Sequence, residues 1–175
     1  MTILFGMSIW DRIYQKFGNS EKKICVIKSL LMYGLRVTEK GIFIGEKIKI
    51  PYTSIAAALD IDRRTVMECV REIRRDPLLK TFFGNLEPAG ASLKNVARIL
   101  GYRCLVIETY EDKPGILASV ARILAEKNIN ILQVIAEDPN LISEPKLYLI
   151  VSSNISGDVI DKLLKLPIIK YVTIS

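Results

Sequence analysis

Histidine is absent from these 175 residues, and with it the commonest metal ligand and the commonest general base. No cysteine cluster or carboxylate motif takes its place. The three cysteines, Cys25, Cys69 and Cys104, stand far apart in apolar surroundings (KICVI, MECVRE, YRCLVI). They read as buried free thiols, the odd count leaving a reactive thiol as the other reading. Triad hydrolases and metalloenzymes lose their usual residues, so the chain is expected to be no enzyme, to hold no metal and to need no cofactor. Long apolar runs are missing too. None reaches the roughly 20 residues that span a bilayer, and Ile3 to Trp10 lacks the basic lead-in and small-residue cleavage site of a secretion signal. The expectation is a cytoplasmic protein with no membrane partner.

Half of the residues are apolar and a quarter are charged, the balance of a folded globular chain with room for one large or two small domains. The net charge of +6 is unevenly spread. Residues 1–100 carry 17 Lys and Arg against 10 Asp and Glu, whereas residues 101–175 carry 8 against 9. A basic first part joined to a near-neutral second part fits a nucleic-acid-binding module with a partner domain, although a solvated basic surface gives the same count.

In the basic part, Ser8 is placed to cap a helix carrying Ile9, Ile13 and Phe17, which Gly18 and Asn19 stop. Ser20 caps a second, with Ile24, Ile27, Leu30 and Leu31 on one face and Gly34 at its end. LRVTEKGIFIGEKIKI then reads as short strands or a wing-like hairpin. Pro51 to Arg75, PYTSIAAALDIDRRTVMECVREIRR, reads as helix, tight turn, helix. Ile55, Ala56 and Leu59 line the first helix and Val66, Cys69, Val70 and Ile73 the second.

The spacing of Ile55, Ala56, Leu59, Ile61, Val66 and Cys69 resembles the helix-turn-helix family of DNA-binding proteins. Ala56 stands where that family has a small residue for close helix packing. Asp60 stands where it usually has glycine, and aspartate tolerates left-handed geometry. The resemblance implies that the second helix reads duplex DNA. By position Arg63, Arg64, Thr65 and Glu68 reach base edges, and Arg71, Arg74 and Arg75 lie nearer the backbone. An ordinary solvated helix with Glu68–Arg71 or Arg71–Arg75 pairs shows the same residues.

Asp76 to Gly101 has the proline and glycine punctuation of a joint, but Phe82, Phe83 and Leu86 need burial. Ser92 can cap a helix with Leu93, Val96, Ala97 and Leu100 on one side. It reads as a packed connector over 81–101, between domains at 1–80 and 102–175, or as a helix completing one domain's core.

Beyond Gly101 the elements run β-α-β-β-α-β. Cys104 to Tyr110 is a strand, EDKPG a turn, and a helix with Leu117, Val120, Ala121 and Leu124 follows. Ile129 to Ala136 and Lys146 to Ser152 are strands, then come a helix with Val159, Ile160, Leu163 and Leu164 and a last strand IIKYVTI. This order folds as an antiparallel sheet with two helices on one face, the ferredoxin-like arrangement. DKPGILASVARILAEKNINI resembles the ACT family of small-molecule regulatory domains over about Tyr102 to Ser175. Asp112, Pro114, Gly115 and Asn128 to Ile131 match its distinctive positions.

That resemblance implies pairing of sheet edges into a homodimer or higher oligomer, with an amino-acid effector bound where the loop after the first strand meets a neighbour. Bare Gly115 leaves room for the ligand, and the amides of Gly115, Ile116 and Leu117 face its carboxylate. Asn130 holds the ligand's polar end, and Asp112 orients the loop or meets an amine. A tight strand-to-helix turn would use the same Pro-Gly pair. Glu137 to Pro145 reads as a lid, an interface element or a plain surface loop.

The whole is expected to be α+β, an N-terminal winged helix-turn-helix domain followed by a ferredoxin-like ACT domain. The combination resembles archaeal-type regulators of amino-acid metabolism, and implies an amino-acid-responsive transcriptional regulator. The alternative is a regulatory or interaction subunit that controls an amino-acid metabolic enzyme without binding DNA.

Overall fold

The computed structural model describes residues 8–152 and 154–175; residues 3–7 of the stretch tested as a secretion signal lie outside them. The chain divides into two compact units, one ending at Gly90 and the other running from Ala91 to Ser175. No helix among the described residues is long and apolar enough to cross a membrane.

The first unit begins with α1 (Ile9–Phe17) and α2 (Glu21–Met32). Ser8 and Asp11 form a reciprocal capping box at 3.0 Å in both directions, and the Ser20 hydroxyl accepts from the Lys23 amide. Both satisfy amides that a helix start leaves without partners. Strands β1 (Leu35–Thr38), β2 (Gly41–Ile44) and β3 (Ile48–Ile50) form an antiparallel meander. Helices α3 (Tyr52–Ala58), α4 (Arg63–Arg75) and α5 (Pro77–Gly84) complete the unit. Phe17, Ile27, Leu30, Ile42, Val66, Ile73 and Phe83 are buried in one apolar core.

The segment expected as a connector over 81–101 is shared between the two units, which divide at Gly90. Its aromatic start belongs to the first unit: α5 buries Leu79 and Phe83, and Phe82 meets Phe83 edge-on at 5.1 Å. The chain beyond α5 stays on the same unit. The backbone of Glu87 and Pro88 lies 2.7 Å from where a Cβ on Gly34 would stand, at φ +59°, so only glycine fits there. Arg36 anchors the segment through the Leu86 carbonyl and the Glu87 carboxylate.

Among the described residues of this unit Asp76 is the buried charge, 2% exposed. Its carboxylate caps α5 by accepting from the amides of Leu78 and Leu79 at 3.1 Å, and pairs with Arg12 at 2.6 Å and Lys16 at 3.4 Å. Burial pushes its carboxyl upward, but the Leu79 amide and the Arg12 and Lys16 cations outweigh that and hold it below the usual value. A carboxyl depressed in the folded state stabilises fully above its unfolded value, and the contribution is lost as pH falls through the folded one. Unfolding of this unit, followed by Trp10, the chain's one tryptophan, should therefore become easier below about pH 4, and less steeply in Asp76→Asn. Asp76→Ala should cost about 2 to 4 kcal/mol, from one cap and the charge-assisted bonds.

The second unit contains β4 (Arg103–Thr109), α6 (Ile116–Glu126), β5 (Ile131–Ala136), β6 (Leu147–Val151), α7 (Gly157–Leu164) and β7 (Ile169–Ile174). The sheet order is β5-β6-β4-β7, antiparallel throughout, as the β-α-β-β-α-β reading requires. Leu105, Ile107, Leu149 and Val151 meet Val120, Leu124, Val159 and Leu163 of the two helices on one face. On the other face Cys104 and Ile150 pack with Ala97 and Leu93.

The helix expected after Ser92 is not formed. Residues 94–101 are successive turns in which the Leu100 amide is shared between the carbonyls of Val96 and Ala97, and Gly101 closes them at φ +79°. So short a segment gains little from helix propagation. It is held instead by its contacts with the sheet. Gln133 of β5 accepts from the Leu93 amide at 2.8 Å and donates to the Ala91 carbonyl at 2.9 Å, and Lys94 lies 4.6 Å from the Tyr148 ring centre.

Candidate functional site

In the second unit, the chain leaves β4 at Thr109, turns, and enters α6 through Gly115, which is left-handed at φ 96°, ψ −7°. No side chain caps this helix start. The first amide to find its helical partner is that of Ser119, bonded to the Gly115 carbonyl at 2.9 Å, so those of Ile116 and Leu117 remain as donors at the positive end of the helix dipole. A Cβ on Gly115 would have nothing within 4 Å. Within the chain, the glycine is required by its φ and leaves open space in front of it.

That space is a cleft of about 250 Å³. Asp112, Gly115, Ile116 and Leu117 line one side, and Glu137, Pro139, Pro145 and Lys146 another. The insertion 137–145 thus supplies a wall. The antiparallel pairing of Ala136 with Leu147 brings its two ends together; the Glu137 amide then donates to the Lys146 carbonyl and the Lys146 amide to the Glu137 carboxylate, each at 3.1 Å. Neither residue was singled out from the sequence, because this pairing, not any local motif, sets them opposite the α6 turn. Lys146 also pairs with Glu108 at 2.6 Å, which raises its pKa, and Glu137 meets Lys94 at 3.5 Å.

Asn130 does not join this cleft within the chain. It is exposed one residue before β5, and its carbonyl accepts from the Ser152 amide at 3.1 Å. Helix α6 carries the chain to the far end of the sheet before β5 returns, and six strand residues separate Asn130 from the cleft by about 20 Å.

In the first unit, α3 and α4 are joined by a turn at residues 59–62. Asp60 has φ +51°, the left-handed geometry expected of that position, and the Ile61 amide bonds to the Ala56 carbonyl at 3.0 Å. Asp62 caps α4. Val66, Cys69, Val70 and Ile73 are buried, while Arg63, Arg64, Arg71 and Arg75 are exposed and Thr65 and Glu68 are partly covered. Arg64, Glu68, Arg71 and Arg75 follow one another at spacings of four, three and four, so they form one stripe. Arg64 bonds Glu68 at 3.0 Å.

Arg74 departs from the expected set. Its guanidinium donates to the Thr38 carbonyl at 2.9 Å and to the Tyr52 hydroxyl at 3.4 Å, tying α4 to the β1 end and α3. The expected register puts it with the arginines; the fold turns it toward the sheet.

The cysteines also divide differently from expectation: Cys25 is exposed, and Cys69 and Cys104 are buried. Burial pushes the Cys69 thiol up to about 12, far from a reactive thiolate. Among the described residues no group of three His, Cys, Asp or Glu is arranged to hold a metal.

With this geometry in view, the comparisons locate the second unit. Residues 105–166 match the ACT domain family, and this part of the chain is an ACT domain with the ferredoxin-like fold. No curated protein matches the chain. Among solved structures, a prephenate dehydratase from Staphylococcus aureus subsp. aureus Mu50 is 26% identical with a TM-score of 0.33, over 42% of this chain and 28% of that one. A transcriptional regulator from Neisseria meningitidis, in complex with L-Met, is 11% identical with a TM-score of 0.27, over 89% of this chain and 87% of that one.

Proposed function

We propose that the chain is an amino-acid-responsive DNA-binding regulator and not an enzyme. The uncapped start of α6 opening onto a cleft in an ACT domain carries the reading. A carboxylate seated there would satisfy the free amides of Ile116 and Leu117 and meet the helix dipole, while Asp112 and Glu137 offer partners for an ammonium group. The exposed arginine stripe on α4, preceded by a left-handed turn at Asp60, supports a helix-turn-helix that docks on duplex DNA.

Dimerisation follows from the same cleft. Strand β5 is a sheet edge whose outward Leu132 and Val134 are 41% and 38% exposed, an arrangement that invites strand pairing. Antiparallel pairing of two copies of β5 would set Asn130 of the partner subunit opposite Glu137, at the cleft. Asn130 would then hold the ligand from across the interface, and the effector would favour one dimer geometry over another.

Two measurements test this. Thermal unfolding against the twenty amino acids should reveal one or a few that stabilise the protein; a ligand at about 100 times its Kd adds roughly 2.7 kcal/mol. Duplex DNA should bind with an affinity that falls as salt rises. Arg64→Ala/Arg71→Ala should lower that affinity about tenfold or more and reduce the salt slope by about 2. An unchanged slope would remove the α4 assignment. Effector binding without any binding to duplex would turn the reading to a regulatory subunit acting on a protein partner.

A further inference from the structure

A second concavity, of about 340 Å³, lies in the first unit and is lined by Lys40, Lys49, Tyr52, Thr53 and Arg63. Three separate pieces of backbone bring its cations together. Lys40 sits in the turn between β1 and β2, where its amide donates to the Thr38 hydroxyl at 3.2 Å. Lys49 stands on β3 opposite Phe43, and its side chain runs over Gly41, so that a Cβ there would meet the Lys49 Cε at 3.2 Å. Arg63 is the first residue of α4.

The cations of this unit fall into two sets. Arg12, Lys16, Lys23, Arg36, Arg64 and Lys80 are in ion pairs. Among the described residues, Lys22, Lys28, Lys40, Lys47, Lys49, Arg63, Arg71, Arg74 and Arg75 are in none, and of these Lys40, Lys49 and Arg63 gather around the one hollow. Like charges repel, and a concave, protein-walled surface strengthens the field between them. Leaving three uncompensated cations around one hollow therefore costs stability, and an anion seated there relieves it. Arg63 also opens the helix that carries the Arg64, Glu68, Arg71 and Arg75 stripe and stands about 100° round the axis from it, so the hollow lies beside that stripe. Two neighbouring sets of cations, in the hollow and along the stripe, fit a chain of phosphates better than a single one.

We infer that the hollow formed by Lys40, Lys49 and Arg63 receives the phosphodiester backbone of duplex DNA and fixes the register in which α4 lies on it. The inference rests on the DNA-binding reading of α4. Phosphate contacts of this type position a protein without reading sequence, so Lys40 and Lys49 contribute affinity that is independent of base order.

The test uses the full chain, a mixed-sequence duplex, and binding isotherms across a salt series, with Lys40→Ala/Lys49→Ala set beside Arg64→Ala/Arg71→Ala. The lysine pair should lower affinity about five- to tenfold and reduce the salt slope by about 2, and Lys40→Arg/Lys49→Arg should restore both. Both lysines sit on the surface, and an unaltered Trp10 unfolding transition verifies that the unit stays folded. If the lysine variant binds as the wild type does while the Arg64/Arg71 variant is weakened, the hollow is not on the DNA path and the α4 reading stands. If the wild type itself shows no salt-dependent binding, both ideas fall. Saturable binding of inorganic phosphate that depends on the lysines but does not compete with duplex would overturn the proposal in favour of a small-anion site.

Discussion

Gly115→Leu is expected to abolish the effector's thermal shift while leaving the ACT domain folded. Two consequences of the substitution must be separated. A leucine forced to φ 96° pays the left-handed penalty, about 1 to 2 kcal/mol, which lowers the transition whether or not a ligand is present. The same side chain projects into the cleft in front of the Ile116 and Leu117 amides, the space a carboxylate needs, and this should remove the ligand's entire contribution. Gly101→Leu supplies the control. Gly101 is also left-handed, at φ +79°, and a Cβ there also has nothing within 4 Å, yet it does not line the cleft. Both variants should lose a few degrees without ligand. Only Gly115→Leu should lose the shift with it. A shift that survives Gly115→Leu would move the ligand away from this helix start; a shift lost equally in both would mean that backbone strain, not the cleft, controls it.

Much of this arrangement was legible in the sequence because it depends on local chemistry. Ser8 and Ser20 announce helix starts by what their hydroxyls can accept, and both do so. Alternation and 3.6-residue periodicity separate strands from helices in the second unit, and the whole β-α-β-β-α-β order follows. The left-handed turn at Asp60 is another local property. Asp112, Gly115, Ile116 and Leu117 are adjacent in the chain, so one turn suffices to bring them to one cleft. What was not legible depends on partners distant in sequence. Arg74 has the same composition signal as Arg71 and Arg75, but the Thr38 carbonyl, 36 residues away, takes it out of the exposed stripe. Nothing near Glu137 or Lys146 marks them as cleft residues before β5 and β6 pair. The segment after Ser92 has helical spacing, yet its contacts with Gln133 and the outer sheet face hold it as turns. Asn130 is the instructive case: the family resemblance assigns it to the ligand, and one chain alone keeps it a strand's length away.

That separation makes dimerisation the larger test. Arginine in place of Val134 should yield a monomer, because two guanidinium groups would meet near the centre of a β5–β5 pairing, where like charges are destabilising and apolar cover is lost. Val134 is partly exposed and its neighbours in the sheet are held by β6, so the unit itself should remain folded. Separation of the copies should have two further effects. Effector affinity should fall, since Asn130 of the partner subunit no longer reaches the cleft. Binding to a DNA site with two half-sites should weaken about 100-fold or more, because the second contact ceases to be intramolecular, while binding of one half-site should be little changed. Light scattering after size exclusion reads the first result, and titrations of effector and of one- and two-half-site duplexes read the others. A variant that remains a dimer with undiminished effector binding would place the interface on another edge and return Asn130 to an ordinary strand-end residue. A monomer that binds effector fully but loses only two-half-site DNA would separate the functions: the cleft would be complete in one chain, and the sheet edge would serve to pair the DNA-binding units.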